Sequence, residues 1–377
     1  MTMLAEYEPP AGGQWARVAP RDAGFDPAGL ADAVAFAEAN ETPWERDLAI
    51  QIGKGHFEPP PWNEIIGPTK PRGGPSGLVL RGGRIAAAWG DPGRVDMTFS
   101  ASKSYISLCA GLAFDSGLLP DPTRPVRELV DDGGFEPPHN AAVTWQHLLQ
   151  LTSEWEGEMW GKPDIVDRNR DLASEGQNTK KGEARPLQAP GTHWEYNDVR
   201  VNRLALALLR LWKRGLPDLV RERIMNPIGA SDGWEWHGYR NSYVEVGGQQ
   251  VQSVSGGGHW GGGMMINAWD MARFGLLTQR RGVWGTQRLL SDAWVTQALT
   301  PTVAQPTYGY MNWFLNTDRK YVVSAPPQAF VHVGAGNNII YVDPVNDLVA
   351  VVRWIDSNQS VNGFVDRLLA SVPGALR

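Results

Sequence analysis

Ser100 and Lys103 stand three residues apart in the run Thr98-Phe99-Ser100-Ala101-Ser102-Lys103-Ser104-Tyr105, and no other Ser-x-x-Lys occurs in the sequence. On a helix this spacing sets a hydroxyl and an amine on one face, one turn apart. A serine hydroxyl is a weak nucleophile at neutral pH and needs a neighbouring base. A lysine can be that base only where burial and nearby charge make it give up its proton. The apolar residues that follow, Tyr105, Ile106, Leu108, Cys109, Leu112 and Ala113, predict a buried helix over 100–117 and so supply the desolvation. The start of such a helix also presents the Ser100 N–H and a positive dipole end to a developing oxyanion. The chemistry expected is attack of Ser100 on an acyl carbon, with Lys103 neutral in the resting state. The plain alternative is an ordinary helix start, with Ser100 as cap and Lys103 in solvent.

Other elements must position this pair. Leu30, Ala33, Val34, Phe36 and Ala37 predict a helix over 28–40, capped by Asp26 with Pro27 in its first turn. Gly77–Trp89 reads as a hairpin turning on Gly82-Gly83. Further helices are expected over 143–151, with Thr144 as cap, over 199–214, closed by Gly215, and over 218–230. Residues 152–190 read as irregular and polar, and residues 1–20 as an extended arm. Strands are expected over 329–333, 338–342 and 348–354, before a closing helix over 361–369. Sheet and helix at both ends with a helical middle predict an α/β domain, 1–95 and 250–377, interrupted by a mainly helical one, 96–249.

Several stretches together resemble the serine β-lactamase and penicillin-binding superfamily. Ala189-Pro190-Gly191-Thr192-His193-Trp194-Glu195-Tyr196-Asn197-Asp198 is similar to its Pro-Gly-x-x-aromatic-x-Tyr-Ser-Asn loop. The hairpin of residues 77–90 lies where that family has one before its nucleophile. Gly256-Gly257-Gly258-His259-Trp260-Gly261-Gly262-Gly263, followed by Asp270-Met271-Ala272-Arg273-Phe274, resembles its glycine-rich strand and Asp-x-Ala-Arg-Phe helix. Tyr308-Gly309-Tyr310 and His332-Val333-Gly334-Ala335 complete the order. The likeness covers roughly residues 20 to 370 and points to the class C-like branch, with family VIII esterases and 6-aminohexanoate-dimer hydrolases.

The resemblance implies a β-lactamase/transpeptidase-like fold, an antiparallel sheet flanked by helices with the site in the cleft between domains. It implies Tyr196 as a proton carrier beside Lys103, and the backbone N–H groups of Ser100 and Ala335 as the oxyanion hole. Asp198 departs from the family's asparagine, and His332 from the lysine of its Lys-Thr-Gly strand. Both changes disfavour an anionic substrate, and Asp198 is expected to pair with an amine on the substrate. Gly334 is expected to let substrate approach closely. Trp155 and His259 are further candidates for the binding pocket, although packing is the plainer role of His259. Tyr239-Arg240-Asn241 and Tyr310-Met311-Asn312 also match Tyr-x-Asn, but neither follows a Pro-Gly turn.

Composition sets outer limits. The 377 residues carry a net charge of −6, with 42% hydrophobic and 20% charged residues, which describes a globular protein without a nucleic-acid-binding balance. No apolar run of membrane-spanning length occurs and the N-terminus lacks the pattern of a secretion signal, so a cytoplasmic protein is expected. The single cysteine, Cys109, excludes an internal disulfide. No Gly-x-Ser-x-Gly elbow, His-Glu-x-x-His motif or phosphate loop is present, so no metal and no cofactor are expected. The reading is a serine hydrolase of small esters or amides, acting on a small-molecule substrate. A β-lactamase or D-Ala peptidase, and a binding protein that keeps the fold without catalysis, are the alternatives.

Overall fold

The computed structural model describes residues 7–12, 14–172, 179–314, 317 and 322–376. A six-stranded antiparallel sheet runs in the order 313–314, Phe330–Gly334, Asn338–Asp343, Leu348–Arg353, Ser76–Arg81, Arg84–Trp89. Gly82 and Gly83 join the last two strands with φ of 57° and 73°, the left-handed pair that a two-residue hairpin turn requires. The two strands Asn338–Asp343 and Leu348–Arg353 are buried along their whole length because both faces of the sheet are covered. Ile339, Tyr341, Leu348, Ala350 and Val352 pack with the terminal helices Pro27–Ala39 and Asn358–Ala370. Ile340, Val342, Val349 and Val351 face the other way, into the core that holds the helix Ala268–Gln279. This is the two-residue alternation of a strand, apolar on both sides.

The terminal helix starts as expected. Asp26 accepts from Gly29 N, and Pro27 opens the first turn. Before it, residues 16–18 lie along the outer strand of the sheet. Val18 N donates to Ile85 O at 2.9 Å, and Ile85 N donates to Ala16 O at 3.0 Å. Of the arm expected over 1–20, residues 1–6 and 13 lie outside the described residues.

The helices Ser102–Asp115, Trp145–Leu149 and Asp198–Trp212 pack against one another to form the helical part. Thr144 caps the second in a box closed by His147. The third ends on Lys213 in the left-handed region, two residues before the expected Gly215. The helix expected over 218–230 is instead Leu216–Val220 followed by one wide turn, Arg221–Met225.

A second sheet runs in the order Asp96–Met97, Gly263–Ile266, Glu235–Val246, Gln249–Val254. Its hairpin spans the expected boundary at 249/250, which falls inside the strand Gln249–Val254, paired with Glu235–Val246 from Tyr243↔Gln252 to Val246↔Gln249. Residues 235–246, within the part expected to be mainly helical, form a strand of this sheet. No helix among the described residues is long and apolar enough to cross a membrane.

Candidate active site

Ser100 does not open the helix. It sits in a tight 3₁₀ turn, Phe99–Ala101, and the α-helix begins at Ser102. Phe99 has φ of 50°, a left-handed conformation that is costly for an aromatic residue and is held by its surroundings. Its ring meets Trp44, Phe57 and Trp354 at centroid distances of 5.6, 5.7 and 6.4 Å. The strand Gly263–Ile266 grips the turn from below. Thr98 N and Thr98 Oγ1 both donate to Met264 O, Met264 N donates to Ser102 Oγ, and Ser102 Oγ donates to Phe99 O. Ser100 is therefore fixed by side chains on either side of it.

Lys103 points back along the helix face as the spacing predicts. Its Nζ lies 2.8 Å from Ser100 Oγ. It also lies 2.5 Å from Asp198 Oδ1, and both side chains are almost wholly buried. Burial alone would drive the proton off Lys103, but the Asp198 carboxylate outweighs it and leaves the amine a stronger base than an ordinary lysine. Lys103 is thus an ammonium ion, which corrects the expectation of a neutral amine. An ammonium donates to Ser100 Oγ and cannot take its proton.

Asp198 is likewise displaced from its expected role. It is the first residue of its helix, behind an Asn197 cap that accepts from Val199 N and Arg200 N. Its carboxylate is shared by Lys103, by Arg170 at 2.8 Å and by His259 Nε2 at 3.2 Å. Burial opposes its ionisation, but His259, Lys103 and Arg170 overcome burial and hold it well below the usual carboxylate range. With three partners in the interior it is not placed to receive an amine of a substrate. The glycine run explains how the ion pair fits. A Cβ on Gly257 would lie 1.9 Å from Asp198 Oδ1, and Gly256 O accepts from Lys103 Nζ at 3.4 Å.

Tyr196 lines the same cavity as Ser100. The Lys103 ammonium sits 4.7 Å from the centre of its ring and the Arg170 guanidinium 5.0 Å. Trp313 stacks on it at 5.8 Å. The other Tyr-x-Asn tyrosines lie elsewhere: Tyr239 bonds Ser255 at 2.8 Å, and Tyr310 accepts from Gln146.

The cavity holds about 530 Å³ and lies between the helical part and the sheet. Ser100, Tyr196, Arg170 and His259 form one side. Trp194, Trp313, Phe314, Leu172, Val331 and Val333 supply the apolar walls, and Ala335 lies beside the nucleophile turn. Val331 and Val333 face the cavity, so His332 between them faces away. Its Nδ1 lies 2.8 Å from Ser104 Oγ and its Nε2 3.3 Å from Thr278 Oγ1. Burial lowers its pKa to about 3 and keeps it neutral. His332 is a core residue and not a pocket residue, because strand alternation turns it inward. Trp155 is also corrected: it is buried and donates to Gly134 O, away from the cavity lining. Gly334 is required for a close approach, but to the chain itself, since a Cβ there would sit 1.6 Å from Thr98 O.

Sequence reasoning did not find Arg170, Asp167, Glu58 or Lys181, which surround Asp198 and His259 from irregular segments without a motif. The aromatic pair Trp194 and Trp313, 5.7 Å apart, was half legible through the Pro-Gly loop.

The order of these parts along the chain agrees with a known family. The family model described as Beta-lactamase matches residues 73–367. The chain belongs to the Beta-lactamase family. Solved structures agree in fold: a family VIII carboxylesterase at 16% identity with a TM-score of 0.58, covering 93% of this chain and 97% of that one. EstCE1, a hydrolase with promiscuous acyltransferase activity, gives 16% identity, a TM-score of 0.59 and coverage of 90% and 98%. A beta-lactamase from Mycobacterium bovis gives 18% identity, 0.53, and coverage of 80% and 95%. No curated protein matches the sequence. At these identities the Beta-lactamase likeness speaks for architecture, and the substrate has to be argued from the cavity.

Proposed function

We propose that the protein is a serine hydrolase that cleaves small uncharged esters through an acyl-enzyme on Ser100. The observation that carries this reading is the 2.8 Å contact of Lys103 Nζ with Ser100 Oγ at the edge of an apolar cavity. Because Lys103 is held as an ammonium by Asp198, the proton of Ser100 is relayed by Tyr196, whose oxygen takes it up while its own hydroxyl proton is committed to the leaving oxygen. Ser100 Oγ then bonds the acyl carbon, and the N–H groups of Ser100 and Ala335 take up the charge on its oxygen. Tyr196 returns the proton to the leaving alkoxide as the C–O bond breaks. Water, activated by the same tyrosine, releases the acid and restores Ser100.

An uncharged substrate is favoured by the walls. The cationic side chain that lines the cavity, Arg170, is already engaged by Asp198 and lies 3.6 Å from Asp167. His332 is turned into the core, so the strand position that clamps a carboxylate elsewhere in the family offers nothing here. The amide reading loses its main argument with Asp198, which is occupied.

The test uses purified protein, a serine-directed fluorophosphonate, p-nitrophenyl butyrate and nitrocefin. A phosphonate adduct on Ser100, absent in Ser100→Ala, and a kcat/KM for the ester at least tenfold above that for nitrocefin are expected. Tyr196→Phe should lose roughly 10²-fold in kcat, the usual worth of a positioned proton carrier. Ester turnover by folded Ser100→Ala protein would overturn the mechanism. Nitrocefin as the better substrate would overturn the substrate class.

A further inference from the structure

Behind Asp198 lies a second group of buried polar side chains, of which His259 also lines the cavity. Glu58, Asp167 and His259 bring ligand-type atoms within 4.8 Å of one another. Three separated segments meet here, and a fourth closes the group: Lys181 Nζ lies 2.5 Å from Glu58 Oε2 and 3.1 Å from Asp167 Oδ1. An ammonium thus already stands where a cation would be drawn. The group is better read through His259, the member whose ring reaches the Asp198 carboxylate.

The His259 ring is clamped by Phe57, stacked at 4.4 Å and 11°. Burial lowers its pKa to about 3, so it is neutral and carries one ring proton. Its Nε2 lies 3.2 Å from Asp198 Oδ2 and 3.2 Å from Arg170 Nη2. Aspartate only accepts and arginine only donates. Nε2 can therefore serve one of them. With a proton it donates to Asp198; without one it accepts from Arg170. The other ring nitrogen, Nδ1, faces Glu58 Oε1 at 3.5 Å, and neither atom has a closer hydrogen-bond partner among the described residues. When Nε2 holds the proton, Nδ1 is a lone pair and needs Glu58 to be a donor. When Nδ1 holds it, an ionised Glu58 is the natural acceptor.

We propose that Glu58 and His259 are positioning residues for the nucleophile: a proton on Glu58 fixes His259 as its Nε2–H tautomer, which anchors Asp198 and so holds the Lys103 ammonium against Ser100. The proposal rests on Ser100 as nucleophile. Loss of the Glu58 proton reverses the tautomer and hands Nε2 to Arg170, so Asp198 loses one of its three donors. The groups facing Glu58 are Asp167, Lys181, Arg170, Lys162 and His259. Burial and the Asp167 charge raise the Glu58 pKa to about 8, against the opposing pull of Lys181 and Arg170. Activity should then fall as pH rises through about 8.

The experiment measures kcat for p-nitrophenyl butyrate at pH 7 and pH 9 in wild type and in Glu58→Gln, whose amide remains a donor at both. Wild type should lose about tenfold between the two, the proton loss expected one pH unit above a pKa of about 8. Glu58→Gln should lose less than about threefold, whatever its absolute rate. An equal fall in both proteins overturns the proposal, while failure of the wild type to label with fluorophosphonate overturns the hydrolase reading instead. Should Glu58→Gln not fold, 15N spectra of histidine-labelled wild type decide the matter, with His259→Gln used to assign the signal. Nε2–H at pH 7 giving way to Nδ1–H at pH 9 supports the relay. One tautomer at both pH values sinks it.

Discussion

Lys103 shows how one neighbour changes the meaning of a motif. Ser-x-x-Lys at a buried helix suggests an amine stripped of its proton, and the burial is real. Asp198, 95 residues further on, reverses the charge state through a 2.5 Å contact. Removing one partner of a buried ion pair costs more than the pair contributes, because the survivor is left unpaired in a low-dielectric interior. Asp198→Asn should therefore lower stability by roughly 3 kcal/mol in denaturant titration and cut kcat for p-nitrophenyl butyrate more than tenfold, as Lys103 and Arg170 are left facing each other. A variant as stable and active as wild type would show that the pair is incidental. The residues at Ser100, Lys103 and Tyr196 were legible because their types and spacing were local. Asp198 and His332 were legible as positions but not as roles, since which way each side chain points depends on distant segments.

At the scale of elements, strands hold the turn that carries Ser100 more than the following helix does. The turn at Phe99–Ala101 is trapped between the strand Gly263–Ile266 and the strand Phe330–Gly334, and Gly334 is the point of closest contact. Gly334→Ala places a methyl group 1.6 Å from Thr98 O, a backbone atom that cannot swing aside. Overpacking of this kind costs roughly 1–3 kcal/mol and moves the backbone. We expect Gly334→Ala to lose ester turnover by more than 10²-fold with a smaller fall in thermal stability, read by circular dichroism; unchanged kcat would show that the turn tolerates displacement. The strands of the large sheet, its Gly82-Gly83 turn and the terminal helices follow from apolar alternation, glycine placement and caps, all visible in short windows of sequence. The hairpin 235–254 was not visible as a sheet, because its outer residues are polar and its register shifts between Gly238 and Tyr243.

For the whole molecule, buried titratable groups shape the pH dependence of folding. His259 and His332 hold pKa values near 3 in the fold, lowered by burial from 6.5. Between those limits the unfolded chain binds two more protons, so stability is lost as pH falls below 6.5. Glu58 acts in the opposite sense. Its pKa is raised from 4.5 to about 8, so the fold binds one more proton in that window and loses stability as pH rises through it. For these three groups the net imbalance is one proton between pH 4.5 and 6.5, worth about 1.4 kcal/mol per pH unit, and it changes sign above 6.5. Glu154 adds to the acid side. Burial would raise its pKa, but the Arg185 hydrogen bonds, the Arg200 charge and Gln188 N bring it to about 2, and that contribution is lost as pH falls from 4.5 through 2. Urea midpoints should therefore peak near pH 6.5, and Glu58→Gln should flatten the alkaline fall. A midpoint still rising at pH 8 would contradict this.

The short rung at residues 16–18 has a practical meaning for anyone shortening the protein. By donating to and accepting from Ile85 it occupies that residue's outward N–H and C=O, near the start of the edge strand Arg84–Trp89. Such an edge is a template for pairing with another chain. A form beginning at residue 19 should keep the Ser100 turn intact yet stick to itself, scattering light at concentrations where the longer chain stays clear. A clear solution of that shortened form would show that the edge is guarded by its own side chains.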